Sequence, residues 1–282
     1  MVENYFKTLR PHQWLKNLML FFPPFLDGSL LGNDQIVSGV VSFASFCLAS
    51  SSSYIINDLY DRERDAHHPK KRTRPIASGA VTPAVAGVMA FLLLAVSLFT
   101  AWWVSVTFVV YITVYLLLSF IYSVKLKNIP LVDIFCISAG FLIRLEAGGL
   151  VFGIAVSRWL FLSVFLLALF LAIGKRLHEK DALGESASGH RMVLVAYPDG
   201  FLEGAMFLTG ATVLVTYTMY VISRHTLVYS VPLCCFGLLR YIFRVQSGCS
   251  GDPTDSLLTD RFLLVTSLLW AIMMGVGIYG GR

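Results

Sequence analysis

Asn57, Asp61 and Asp65 are spaced four apart. At 3.6 residues per turn they fall in one row on a helix face. Three oxygen-bearing side chains in a row at a helix end make a site for a hard cation. Mg²⁺ suits it best, because that ion takes a few carboxylates and fills its remaining positions with substrate phosphate oxygens. Asp58, next to the row, offers a further polar contact, and Glu63 points away from it. Just downstream come Lys70, Lys71, Arg72 and Arg74, the partners phosphate oxygens call for. A solvated loop laced with i,i+4 salt bridges accounts for the basic residues, but not for acid and amide groups on one stripe.

Two other stretches place charge in apolar surroundings. Asp133 and Arg144 are eleven residues apart in an apolar run, so they return to nearly the same helix face. Ionisable groups inside a membrane usually face a cavity or a partner. Asp133 lies near the end of its run. Arg144 lies deeper and is the stronger candidate, either for binding a phosphate or for holding a cavity wall; a structural ion pair with Glu146 or another helix is the alternative. The run near residues 158–175 ends in Gly174-Lys175-Arg176-Leu177-His178-Glu179. Lys175 and Glu179 share a face there, and Lys and Arg bind phosphate without a bridging metal. Lys16, beside Trp14 in the first apolar segment, could simply snorkel.

The elements that must position these groups are membrane helices. A mean hydropathy of +0.72 and 56% hydrophobic residues exclude an ordinary soluble domain. The 282 residues leave room for about nine spans in one integral domain, 1–282. The expected spans are 14–31, 36–56, 83–103, 105–123, 130–150, 158–175, 201–221, 227–244 and 260–279. Pro23-Pro24 must kink or end the first. Ser50-Ser51-Ser52-Ser53 in the second permits close helix contact. Spans three and four meet at Trp102-Trp103, a tight turn where belt aromatics belong. No cleavable signal peptide is evident. The five cysteines lack C-x-x-C spacing and read as buried free thiols. The pI of about 9.0 reflects loop bias, with no module for nucleic acid.

With the N-terminus inside, the inner segments carry 18 of the 22 Lys/Arg. The positive-inside rule then sets an N-in, C-out arrangement, with the charged loops on the cytoplasmic side of a bacterial-type inner membrane.

The run N-D-x-x-D-x-x-x-D at 57–65 resembles the first aspartate motif of the UbiA superfamily of intramembrane prenyltransferases. Leu9-Arg10-Pro11-His12-Gln13-Trp14-Leu15-Lys16-Asn17, Ser157-Arg158-Trp159, Gly174-Lys175-Arg176 and Leu239-Arg240-Tyr241 are similar to one branch, the decaprenyl-phosphate phosphoribosyltransferases. The resemblance implies an all-α bundle with a cytoplasm-facing cavity. It implies Mg²⁺-dependent transfer of 5-phosphoribose from 5-phosphoribosyl 1-diphosphate to a polyprenyl phosphate, for cell-envelope polysaccharide precursors.

On that reading Asp61, Asp65 and Lys16 serve catalysis, and Asn57, Asp61 and Asp65 hold the metal. Lys16, Lys70, Arg72, Arg74, Arg144, Lys175 and Arg176 bind substrate phosphates. Asp58, Asp133 and Glu179 remain for a second cation or polar contacts. The wider superfamily carries a second aspartate-rich motif where this chain has Lys175 and Arg176. That departure speaks against an aromatic prenyltransferase using a prenyl diphosphate and suits the additional 5-phosphate. A transporter is the reading from another class, and no inverted repeat supports it. The partners are the donor, the lipid phosphate and membrane lipids, and a homo-oligomer is left open.

Overall fold

The computed structural model describes residues 2–30, 35–67, 71–183, 192–222 and 225–280. All regular elements among them are helical. Eight are long and apolar enough to cross a membrane. These are α3 (Ile36–Tyr60), α5 (Pro83–Val104), α6 (Val106–Val124), α7 (Val132–Val151), α8 (Arg158–Leu183), α10 (Phe201–Ile222), α11 (Val231–Gln246, entered through a 3-10 turn) and α13 (Arg261–Tyr279). Five short helices accompany them: α1 (Val2–Leu9), α2 (Phe22–Asp27), α4 (Arg62–His67), α9 (Met192–Val195) and α12 (Pro253–Thr259). The chain is an all-α, polytopic integral membrane protein.

Local chemistry sets the boundaries. Thr82 caps α5 and Pro83 takes its first position, where a missing N–H costs nothing. Ser105 both ends α5 and caps α6, accepting from the Phe108 N–H at 3.0 Å, so one residue suffices for the hairpin. Asp252 and Asp260 cap α12 and α13.

The first expected span takes a different form. Pro11–Phe21 is a 3-10 segment, followed by the six-residue α2 with Pro23 and Pro24 in its first turn. The prolines cannot donate the bonds of a continuing helix but fit a helix start, so the chain re-initiates there. Eleven residues at ~2.0 Å and six at ~1.5 Å still reach ~31 Å, about one hydrocarbon thickness. Two helices also run beyond their apolar stretches. α3 continues to Tyr60, which puts Asn57 and Asp58 on the helix itself, and α8 continues to Leu183.

The 3-10 segment lies directly against α7. A Cβ on Gly148 would sit 2.2 Å from the Leu20 carbonyl oxygen, so only glycine allows this approach. The contact brings Lys16 and Asn17 to the level of Arg144. The serine run of α3 receives the segment from the other side. Ser51 accepts from Trp14 Nε1 at 3.0 Å and donates to the Leu9 carbonyl, while Ser50 accepts from Asn17. Ser52 bonds the Ala90 carbonyl of α5. Apolar clusters fill the contacts among α8, α10 and α11 and among α3, α6 and α7. All five cysteines are free. Cys47 is buried, but Cys249 is exposed, because its stretch leaves α11 for a loop.

Candidate active site

A cavity of about 1480 Å³ lies inside the bundle. Asn57, Asp61 and Asp65 all line it. The Asp61 N–H bonds the Asn57 carbonyl (2.9 Å) and the Asp65 N–H bonds the Asp61 carbonyl (2.8 Å), so one helical register runs through the break between α3 and α4. Each carboxylate already faces a cation. Lys127 Nζ lies 2.6 Å from both oxygens of Asp61. Arg74 bonds Asp65 and, at 3.1 Å, Asp58. Arg10 grips both Asp58 oxygens at 2.6 and 2.7 Å. Arg10 is held in left-handed backbone (φ 53°) just before Pro11, a strained turn that aims its guanidinium at Asp58. Asp58 is therefore a clamp and lies off the cavity wall. Glu63 and Arg72 are exposed and do not line the cavity; Lys70 lies outside the described residues.

Two carboxylates and an amide at one wall are the donor set of a hard divalent cation that keeps substrate oxygens as ligands. Among the described residues no three His, Cys, Asp or Glu side chains group closely enough to hold a metal by themselves. Asn57, Asp61 and Asp65 thus fit an ion that arrives with a phosphate-bearing substrate.

The end of α8 brings two cations to the same cavity. Lys175 pairs with Asp252 at 2.7 Å. Arg176, almost fully buried, bonds Asp133 at 2.6 Å, Glu179 at 2.7 Å and the Tyr122 hydroxyl at 3.1 Å. The other Asp133 oxygen accepts from the Tyr197 hydroxyl at 2.8 Å, and that hydroxyl accepts from the Leu131 N–H at 2.8 Å. Burial pushes the Tyr197 phenol up, so it stays a donor. Lys180 donates to the Tyr197 carbonyl and to Asp199, tying down the stretch after α9. Asp133 lies off the cavity wall and Glu179 lines it, and both make polar contacts that fix Arg176. Burial acts against the charge on Asp252, but Lys175 and then Lys16 override it and hold the carboxyl at about 2.

Lys16 and Arg144 also line the cavity. Arg144 Nε donates to Asn17 at 2.8 Å and Nη1 to the Gly140 carbonyl at 2.7 Å. Its guanidinium lies 4.4 Å from the Tyr115 ring centre. The ion pair with Glu146 does not form.

Several residues of this site were not singled out by spacing. Lys127, Asp252, Arg10 and Tyr122 all line the cavity. Asp252 carries a local sign, an Asp before Pro that starts a short helix. Lys127 carries none, since its partner is 66 residues away.

The UbiA prenyltransferase family model matches residues 21–268, and the chain belongs to that family. It is a transferase of the family. The chain is 35% identical to the decaprenyl-phosphate phosphoribosyltransferase of Mycolicibacterium smegmatis, over 99% of this chain and 93% of that protein. It is 31% identical to the protein of the same name from Mycobacterium tuberculosis, over 100% of this chain and 96% of that one. Its fold is similar to that of a solved UbiA homolog from Archaeoglobus fulgidus bound to GPP and Mg²⁺. The TM-score is 0.75 at 21% identity, covering 98% of this chain and 99% of that one.

Proposed function

We propose that residues 1–282 form one transferase domain that moves 5-phosphoribose from 5-phosphoribosyl 1-diphosphate to a polyprenyl phosphate and releases diphosphate. The observation that carries this reading is the mixed lining of the cavity. Asn57, Asp61 and Asp65 offer oxygen donors for a metal, and Lys175 and Arg176 line the same cavity. A donor with both a diphosphate and a separate 5-phosphate matches that pattern. The full-length similarity to two decaprenyl-phosphate phosphoribosyltransferases supports it.

Asn57, Asp61 and Asp65 would hold Mg²⁺, which supplies charge neutralisation on the departing diphosphate. Lys16, Lys70, Arg74, Arg144, Lys175 and Arg176 are the candidates for phosphate contacts, and Arg72, exposed and off the cavity, drops out. A phosphate oxygen of the lipid forms the bond to ribose C1 as the bond from C1 to the diphosphate oxygen breaks, and the diphosphate leaves with that electron pair. The attacking oxygen is already ionised at neutral pH, so no general base is needed. Lys16, which lines the same cavity, would supply positive charge to the reacting phosphates. The apolar walls of the cavity, among them Phe141, Val164 and Trp270, accommodate the isoprenoid.

On the same reading the 3-10 segment with α2 makes a ninth crossing. The cavity mouth opens to the cytoplasm of a bacterial-type inner membrane, and the product feeds cell-envelope polysaccharide synthesis. A reporter inserted in the 66–74 loop should then read cytoplasmic; a periplasmic signal would overturn the orientation. Purified protein should release diphosphate from 5-phosphoribosyl 1-diphosphate only with Mg²⁺ and a polyprenyl phosphate present. Turnover of prenyl diphosphates with an aromatic acceptor, and none of phosphoribosyl diphosphate, would refute the function.

A further inference from the structure

Most of the cations around the cavity hold a carboxylate. Arg10, Arg74, Lys127, Lys175 and Arg176 each hold a carboxylate. Arg144 lines the cavity too and holds none among the described residues. Lys16 makes no ion pair of its own there but lies in the fields of Lys175, Asp252 and Arg144, with Tyr115 beside both it and Arg144. Arg144 is only 5% exposed. Its contacts with Asn17, Gly140 and Tyr115 fix its plane and use only its Nε and Nη1. Nη2 has no protein partner among the described residues. A guanidinium buried at this depth without a counter-charge costs a great deal of solvation, unless an anion completes it.

Depth identifies the anion. Arg144 is twelve residues into α7, ~18 Å along its axis from Val132. The metal-binding row, by contrast, sits where α3 ends and α4 begins. Next to Arg144, Leu145 packs in one apolar cluster with Leu160, Val164 and Tyr217. Arg144 therefore stands at the junction of the polar and apolar parts of the cavity. A water-soluble donor has no apolar group to put beyond that junction. A phosphate esterified to a long isoprenoid has its charge at one end and its tail beyond. A phosphate monoester carries ~−1.5 to −2 at pH 7, which two cations balance.

We propose that Lys16 and Arg144 form the subsite for the phosphate of the lipid acceptor, separate from the donor's metal–diphosphate site, with Asn17 as the positioning residue for Arg144. This assignment rests on the proposed function. It requires that the lipid phosphate bind without metal or donor.

Binding of a polyprenyl phosphate in detergent micelles should be measured for wild type, Lys16→Gln and Arg144→Leu without Mg²⁺, with the corresponding polyprenol as control. KM for both substrates follows from steady-state transfer. Lys16→Gln, at a partly exposed position, keeps the test open if Arg144→Leu fails to fold. Each variant should weaken the polyprenyl phosphate ~10-fold or more, the loss of a charge-assisted contact. Polyprenol binding and the KM for phosphoribosyl diphosphate should move less than ~3-fold. A loss that falls on the donor, or on polyprenol equally, overturns the assignment and leaves the function standing. A wild type that releases no diphosphate from phosphoribosyl diphosphate with any polyprenyl phosphate overturns the function, and the assignment with it.

Discussion

Asp61→Asn should have two separable effects, because Asp61 has two partners to satisfy. With no substrate bound, both its oxygens hold Lys127 Nζ at 2.6 Å, with side-chain exposures of 17% and 7%. Removing the carboxylate charge leaves a nearly buried ammonium unpaired. Breaking a buried pair from one side costs ~3–5 kcal/mol, and the partial exposure of Asp61 brings this case below that range, to ~2–3 kcal/mol. For a chain of this size that corresponds to a fall of roughly 5 °C or somewhat more in the midpoint of thermal unfolding in detergent. The second effect is on turnover. Loss of a metal contact worth several kcal/mol in the transition state should cut the rate ~100-fold or more. The double variant Asp61→Asn/Lys127→Met separates the two effects: it should recover most of the lost thermal stability and none of the lost activity. Glu63→Gln is the control, since Glu63 is exposed on α4, two residues on, and off the cavity. It should leave both readouts unchanged. Near-normal turnover in Asp61→Asn and Asp65→Asn, with Glu63→Gln inactive, would refute the row. A double variant no more stable than Asp61→Asn would refute the ion-pair account.

Two further tests address the cations at the end of α8. The Asp252 carboxyl, held at about 2 against an ordinary 3.8, contributes about 2 kcal/mol at neutral pH. Its folded value is depressed, so that contribution is complete above about pH 4 and is lost as pH falls toward about 2; Asp252→Asn, which still caps α12, should be less stable than wild type at pH 7, with the gap closing across that window in thermal unfolding. Asp133→Asn removes the carboxylate that holds Arg176 in place but leaves it Glu179. It should destabilise the protein by ~3 kcal/mol and raise KM for the donor; Tyr197→Phe should give a smaller loss in the same direction, and an unchanged KM in both variants would mean that Arg176 needs no positioning.

The parts of the site legible in the sequence are those where one helix carries the whole pattern. Asn57, Asp61 and Asp65 could be placed in one row because the i→i−4 bonds persist across the α3–α4 break. Arg144 stood out because an arginine in an apolar run has few places to go. The end of α8 was set two turns short because hydropathy falls at Gly174, while the helix continues. Buried ion pairs at Arg176 hold those turns against the bundle, and no apolar count reports an ion pair. The first apolar segment shows the converse. Its composition is that of a span, yet its prolines and the close contact at Gly148 give it 3-10 geometry.

Lys127 and Asp252 were missed for a physical reason that bears on function. Each meets its partner across a long stretch of chain, Asp61 at 66 residues and Lys175 at 77. Only the closed bundle brings them together. Their effect is to pair charges that the cavity would otherwise leave bare, since a low-dielectric interior strongly penalises unpaired charge. Against those pairs Arg144, buried with no carboxylate of its own, stands out. A fold that gives Arg10, Arg74, Lys127, Lys175 and Arg176 carboxylates, and leaves Arg144 an amide and a carbonyl beside Lys16, has put positive charge where a lipid-borne anion would complete it.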